Sequence, residues 1–392
     1  MARELKSLKE LKEAVRVRPI ELGQERQTER KVVGYFCNYV PEELIHAAGA
    51  IPIRLGKGGD KEAEREGGEY ITANSCSYAK SCIGGLAKGS DPFLVAVDFI
   101  AEAPACVQME WVLEILETYF GIQVLPIGLP RKFDTPEGFD YYLEELIDFQ
   151  RRLERLTGQS ITQEALEQTI SLYNAIRKKL NAIYGLLRED TFPISWEEVL
   201  GVVQAGFVLD RGRYLELLEA LWEECRESLK HATEAGGDTP GPRLLVAGSI
   251  LAPGDSKLLD VALELGTNIV MDEFCTGSRW VWTDIEEPSL EGLARRCLLK
   301  PPCATLPDIR EDGNVRRDHL EQLVQKWRID GVIYYTLRFC DAYSFKVEAD
   351  RHWFEEMEIP LLHINSEYSS INQGQIRTRL EAFVELLTAK NT

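Results

Sequence analysis

The sequence predicts an α/β fold: two parallel, doubly wound sheets with a helical segment between them. Three observations predict it. Short apolar runs alternate with amphipathic helical stretches over residues 1–133, and the same alternation returns over 241–392. Residues 134–240 carry helical periodicity almost throughout. That middle stretch ends in Gly236-Gly237-Asp238-Thr239-Pro240-Gly241-Pro242, a linker composition. At 392 residues the chain is too long for one ordinary core, so three segments are expected: 1–133, 134–240 and 241–392.

The elements follow in order. Residues 1–30 form a charged helical lead-in. The apolar run 32–36 reads as a buried strand that ends at Cys37. Pro41 then opens a helix, with Glu42 and Glu43 in its first turn and Ala47, Ala48 and Gly49 at its close. Residues 51–55 form a second strand, and 56–69 a glycine-rich charged loop. Residues 70–74 are strand-like and run into Ser75-Cys76, with Cys82 in the helical stretch beyond. Residues 93–99 read as a buried strand whose loop ends at Cys106. A helix and a last strand, 122–130, complete this half.

In the helical segment Trp196, Leu200, Leu217 and Trp222 are core positions, and Cys225 is a mid-helix structural thiol. The second half begins with a strand at 243–249. A strand at 268–274 ends at Cys275. Residues 281–300 are mostly helical and contain Cys297, and Pro301-Pro302-Cys303 is a constrained turn. The strand 331–337 is followed by Cys340, and the strand 361–366 by an amphipathic helix, 371–387.

A net charge of −19 argues against nucleic acid as a partner, because nothing would offset the phosphates. There is no apolar run long enough for a bilayer, and the charged start is unlike a signal peptide, so no membrane partner and a cytoplasmic location are expected. Nine cysteines in such a compartment disfavour a disulfide framework. Buried structural thiols, a metal site and redox chemistry remain.

Position narrows the choice. Parallel sheets bind ligands beyond the carboxyl ends of their strands, where Cys37, Cys76, Cys106, Cys275 and Cys340 fall; Cys303 lies in a turn. A thiol near a helix N-terminus also ionises more easily. Three of the six come from each half, so facing halves would bring all six to one cleft. Thiolates select zinc, copper(I) or iron–sulfur clusters. Zinc sites favour close CxxC pairs, and this chain has none. Ligands spread from residue 37 to residue 340 suit a cluster held between domains; six unrelated buried cysteines are the bland alternative. Cys82 and Cys297 are left out because each falls in a helical run.

Arg279 is a candidate for binding an anion or orienting a substrate, against a plain salt bridge. Glu43 is a candidate for proton delivery, against a first-turn carboxylate. His363 reads as a satisfied core histidine.

The block from Val33-Gly34-Tyr35-Phe36-Cys37-Asn38-Tyr39-Val40-Pro41-Glu42-Glu43 to Ala48-Gly49 resembles the opening motif of the 2-hydroxyacyl-CoA dehydratase and benzoyl-CoA reductase superfamily. Arg338-Phe339-Cys340-Asp341 resembles its late motif, and Ser75-Cys76-Ser77-Tyr78-Ala79-Lys80-Ser81 a third block. The resemblance implies two Rossmann-like domains with a helical segment. It also implies a 4Fe-4S cluster held by three cysteines, matched here by Cys37, Cys106 and Cys340. Cys106-Val107 departs from the usual Cys-Asp. Cys76, Cys275 and Cys303 are further candidates, a pattern similar to the double-cubane branch, whose 8Fe-9S cluster takes six cysteines. That branch implies a homodimer. It also implies an iron–sulfur oxidoreductase for small, hard-to-reduce molecules of the acetylene or hydrazine kind. Its electrons come from a separate dimeric ATPase reductase with its own 4Fe-4S cluster. This chain has no GxxxxGK[ST] sequence, so ATP hydrolysis is assigned to that partner. The alternative is a subunit of a 2-hydroxyacyl-CoA dehydratase with a 4Fe-4S cluster, paired with a different subunit.

Overall fold

The computed structural model describes residues 5–190, 192–232, 241–306, 314–368 and 372–390. The first half runs α1 (Lys6–Arg26), β1 (Val32–Tyr35), α2 (Glu42–Ala47), β2 (Ile51–Arg54), α3 (Lys61–Gly67), α4 (Ser77–Ala87), α5 (Pro92–Ala96), β3 (Phe99–Glu102), α6 (Val107–Phe120) and β4 (Gln123–Pro126). Four helices follow: α7 (Pro136–Thr157), α8 (Gln163–Leu186), α9 (Trp196–Ala205) and α10 (Arg211–Ala232). The second half runs β5 (Arg243–Gly248), α11 (Lys257–Glu264), β6 (Asn268–Asp272), α12 (Ser278–Val281), α13 (Leu290–Leu299) and α14 (Val315–Trp327). It closes with β7 (Gly331–Leu337), α15 (Asp341–Glu356), β8 (Leu361–Ser366) and α16 (Gln373–Lys390). Most of the expected linker, 236–240, and residue 371 lie outside the described residues.

Both sheets are parallel throughout and share one topology. The orders are β2-β1-β3-β4 and β6-β5-β7-β8. β1, β2, β5 and β7 are buried along their whole length, as strands covered on both faces must be. β4 is an edge strand, which is why Pro126 is tolerated at its end. One apolar core joins α1, α8, α9 and α10 to both sheets; a second lies between β1, β3, α7 and α13. Among the described residues no helix is long and apolar enough to cross a membrane.

One expected strand is absent and another is displaced. Residues 70–74 form turns, not a strand: the Ser75 amide bonds the Thr72 carbonyl at 3.0 Å, and Tyr70 packs its ring on Tyr119 and Phe120. The apolar run 93–99 is split. Asp91 caps α5 by accepting from the Phe93 amide, with Pro92 in the first helical turn, and β3 begins only at Phe99. Asp-Pro ahead of an apolar run is a helix-start signal that outweighs the β-branched content behind it.

His319 on α14 makes a pH prediction. Its ring meets Trp282 edge-on, with centroids 4.6 Å apart. Burial, then the charges of Arg279, Arg316 and Lys326, push its pKa down to about 3. The unfolded chain therefore takes up a proton below about pH 6.5 that the folded chain refuses, and stability falls as pH drops from there towards 3. At pH 5 the loss from this residue is about 2 kcal/mol. Urea denaturation of wild type and His319→Leu at pH 7.5 and pH 5 checks it: the wild type loses more, whereas parallel losses would refute the assignment.

Candidate metal centre

Strand order reverses between β1 and β3 in one sheet and between β5 and β7 in the other. Doubly wound sheets form their ligand crevice beyond the carboxyl ends at such a point. Cys37 follows β1, Cys106 follows β3 and caps α6, and Cys340 follows β7 and caps α15. Cys275 follows β6. Cys76 is at the N-cap of α4, after turns and not after a strand. Cys303 lies beyond α13. Gly248, at φ +122°, lets β5 turn into the cavity wall; a Cβ there would sit 2.0 Å from the Tyr335 carbonyl oxygen.

The six cysteines line one cavity of about 380 Å³. Cys76 is buried and the other five are half-buried. Most of the remaining wall is apolar, including Phe36, Ala105, Met109 and Ile250. A larger groove, about 490 Å³, runs beside α1 and α9 and includes no cysteine. Cys82, Cys225 and Cys297 are buried in helices away from the cavity.

Cys275, Cys303 and the residue before Cys340 are each tied to a side chain from the first half. Arg54 donates from Nε to the Phe36 carbonyl at 3.1 Å and from Nη1 to the Cys275 carbonyl at 2.6 Å. The Cys303 amide donates to the Tyr39 hydroxyl at 3.0 Å, and Lys300 donates to the Asn38 carbonyl from over the Tyr39 ring. Gln108 accepts from the Cys76 amide at 2.6 Å and donates to the Phe339 carbonyl, next to Cys340, at 2.7 Å.

The thiols differ in acidity. Burial, then the nearby Glu102, raises Cys37 well above the usual thiol range. Burial pushes Cys106 up to about 12. Cys340 hydrogen-bonds Cys76, which holds Cys76 low and Cys340 high. Burial would raise Cys303, but Arg279, Thr305 and Tyr343 outweigh it and leave it low. Backbone N–H groups face five of the sulfurs: Tyr39 at Cys37, Tyr78 and Ala79 at Cys76, Gln108 and Met109 at Cys106, Thr305 at Cys303, and Tyr343 at Cys340.

Arg279 is both a salt-bridge residue and part of the wall. Its Nε is 3.4 Å from Glu273, and it donates to the Pro302 carbonyl at 3.1 Å and the Tyr343 hydroxyl at 2.9 Å. That hydroxyl is 3.7 Å from the Cys303 sulfur. Glu43 lies away from the cavity, buried in an ion pair with Arg177 of α8. His363 bonds Thr336 at 2.8 Å. Asp341 is on the wall beside Cys340.

Sequence reasoning missed Glu102. It is fully buried at the end of β3 and accepts from the Phe36 and Cys37 amides at 2.7 and 3.0 Å. Burial raises its pKa to about 7. Placing the strand at 93–99 put Glu102 in a loop; the Asp91-Pro92 signal would have moved it to a strand end.

The family profile for the 2-hydroxyglutaryl-CoA dehydratase D-component matches residues 37–387. The chain belongs to this family. Its relatives include YjiM of Escherichia coli (strain K12), 26% identical over 360 residues and 91% of each chain. The (R)-phenyllactyl-CoA dehydratase beta subunit of Clostridium sporogenes is 25% identical over 365 residues, 92% of this chain and 93% of that one. A benzoyl-CoA reductase subunit of Thauera aromatica is 26% identical over 361 residues, 90% and 89% of the two chains.

The dehydratase family is known for iron–sulfur clusters, and fit to such a group turns on how the thiols are arranged. Among the described residues no three His, Cys, Asp or Glu side chains are placed to hold one metal ion. The six thiols instead line the wall of one cavity, with Cys76 and Cys340 hydrogen-bonded to each other, a donor set that suits a multinuclear cluster. N–H groups aimed at sulfur favour thiolates, and an apolar wall keeps water away from them. The donor set fits.

Proposed function

We propose that the chain is an iron–sulfur oxidoreductase whose Cys37, Cys76, Cys106, Cys275, Cys303 and Cys340 hold a double-cubane 8Fe-9S cluster. The supporting observation is that all six line one cavity between the two sheets. When bound, the cluster supplies single electrons at low potential. Those electrons come from a separate dimeric ATP-hydrolysing reductase, and the working form is a homodimer. A cavity of about 380 Å³ that also holds the cluster leaves room for a small, hard-to-reduce molecule. Arg279 stands in the wall as the fixed cation that orients an anionic or polar substrate.

A second reading is a dehydratase subunit with a 4Fe-4S cluster on Cys37, Cys106 and Cys340. The names of the dehydratase relatives favour it.

Iron and acid-labile sulfide per chain, on protein purified without oxygen, separate the two. The first reading expects about eight irons and nine sulfides, falling in Cys275→Ala and Cys303→Ala. About four of each, indifferent to both substitutions, is the result for the dehydratase subunit. No iron after reconstitution removes both.

A further inference from the structure

We infer that Arg54 is the buried counter-charge of the cysteine cavity, setting how strongly the site favours extra negative charge. The inference rests on the proposed reading that the six cysteines hold a cluster.

Arg54 ends β2 and is 4% exposed, with its guanidinium 4.7 Å from the centre of the Phe207 ring. Other buried arginines of this chain carry a carboxylate partner: Arg177 has Glu43, Arg211 has Glu42, Arg279 has Glu273 and Arg316 has Asp350. Arg54 forms no ion pair among the described residues. Asp91, Glu197 and Glu198 border the same groove as Arg54, yet none pairs with it. Its hydrogen bonds go to two carbonyls, those of Phe36 and Cys275, and its Nη2 has no partner among the described residues. Arg243 and Arg296 also show no carboxylate partner among the described residues and likewise bond carbonyls, Arg243 those of Trp327 and Leu187 and Arg296 those of Thr283 and Trp280, but neither leaves a buried nitrogen without a partner there as Arg54 does.

A guanidinium cannot shed its proton, so burial leaves a permanent charge; Glu102 feels it through space but bonds the Phe36 and Cys37 amides and forms no ion pair with it among the described residues. Burying such a charge is strongly unfavourable unless an opposite charge lies close by. Tyr35 and Tyr78 also stand near it, but burial keeps both hydroxyls protonated, so the groups left to meet this need are the sulfurs of Cys275, whose carbonyl Arg54 holds, and of Cys37, next to the Phe36 carbonyl it holds. Neutral thiols do little for it; thiolates bound to iron compensate it. The converse follows by reciprocity. A fixed cation beside the cluster favours the reduced, more negative state and raises its reduction potential.

The test uses the full chain, purified and reconstituted without oxygen, as wild type, Arg54→Lys and Arg54→Gln. Iron and sulfide are counted, and the midpoint potential is read by redox titration followed by EPR. Arg54→Gln is expected to lower the reduced-to-oxidised ratio at a fixed potential at least tenfold, about 59 mV for a one-electron couple, while Arg54→Lys stays near wild type. Loading in Arg54→Lys but not in Arg54→Gln also supports a requirement for charge. An unchanged midpoint in a fully loaded Arg54→Gln would overturn the inference. So would equal shifts, or equal loss of iron, in both variants, because geometry and not charge would then be responsible. Wild type without iron would instead remove the cluster reading itself.

Discussion

Asp350→Ala is expected to lower folding stability by about 3–5 kcal/mol. Asp350 is fully buried on α15, with both carboxylate oxygens 2.6 Å from Nη1 of Arg316 and the Tyr334 hydroxyl donating to it at 2.6 Å. Removing it deprives a buried guanidinium of its bidentate anion and leaves it leaning on Glu273, at 3.4 Å. Glu273 also serves Arg279, which holds the Tyr343 hydroxyl beside Cys303. The substitution therefore leaves more of the Arg316 charge to a carboxylate that two cations already share at the edge of the cavity. Asp350→Asn keeps an acceptor for Tyr334 but loses the charge, and falls between wild type and Ala. Urea denaturation of the metal-free chain measures this without reference to any cluster. A difference below about 1 kcal/mol would show that the network relaxes around the loss, and Asp350 would not be the anchor of these cations.

What the residues announced, and what they hid, has a physical pattern. Strand-forming runs such as 331–337 were legible because strands covered on both faces are apolar throughout. The cysteines at strand ends were legible because a parallel sheet delivers its strand ends to one edge. The misread run 93–99 was apolar on both readings; only Asp91-Pro92 distinguished helix from strand. Cys76 lines the cavity, but a helix N-terminus and not a strand end carries it there. The cross-links between the halves were not legible at all. Arg54, Gln108 and Lys300 act on backbone carbonyls and amides far along the chain, and such partners leave no pattern in the sequence around them. Glu43 shows the same limit: a first-turn carboxylate looks solvated until Arg177, from another helix, is folded against it.

Gln108 is the cross-link whose loss reaches the cavity most directly. It sits two residues beyond Cys106, binds the amide of Cys76 and the carbonyl of Phe339, and so touches the settings of three candidate ligands from both halves. Phe339 holds φ at +63°, a left-handed conformation that a bulky side chain adopts only where its surroundings enforce it. Gln108→Ala strands one buried donor and one buried acceptor, each worth about 1–3 kcal/mol when left unpaired. The expected result is a lower unfolding midpoint in the metal-free chain and faster loss of iron to a chelator in the loaded one. Gln108→Glu divides the effect. It still accepts from the Cys76 amide, but it has no proton for the Phe339 carbonyl and brings a negative charge to a wall of thiolates. Its iron should therefore leave at least as fast as in the Ala variant, although its amide bond is retained. If Gln108→Glu instead kept iron as well as wild type, the bond to Phe339 would not hold Cys340 in place. The left-handed turn would then be maintained by the packing of α15 alone.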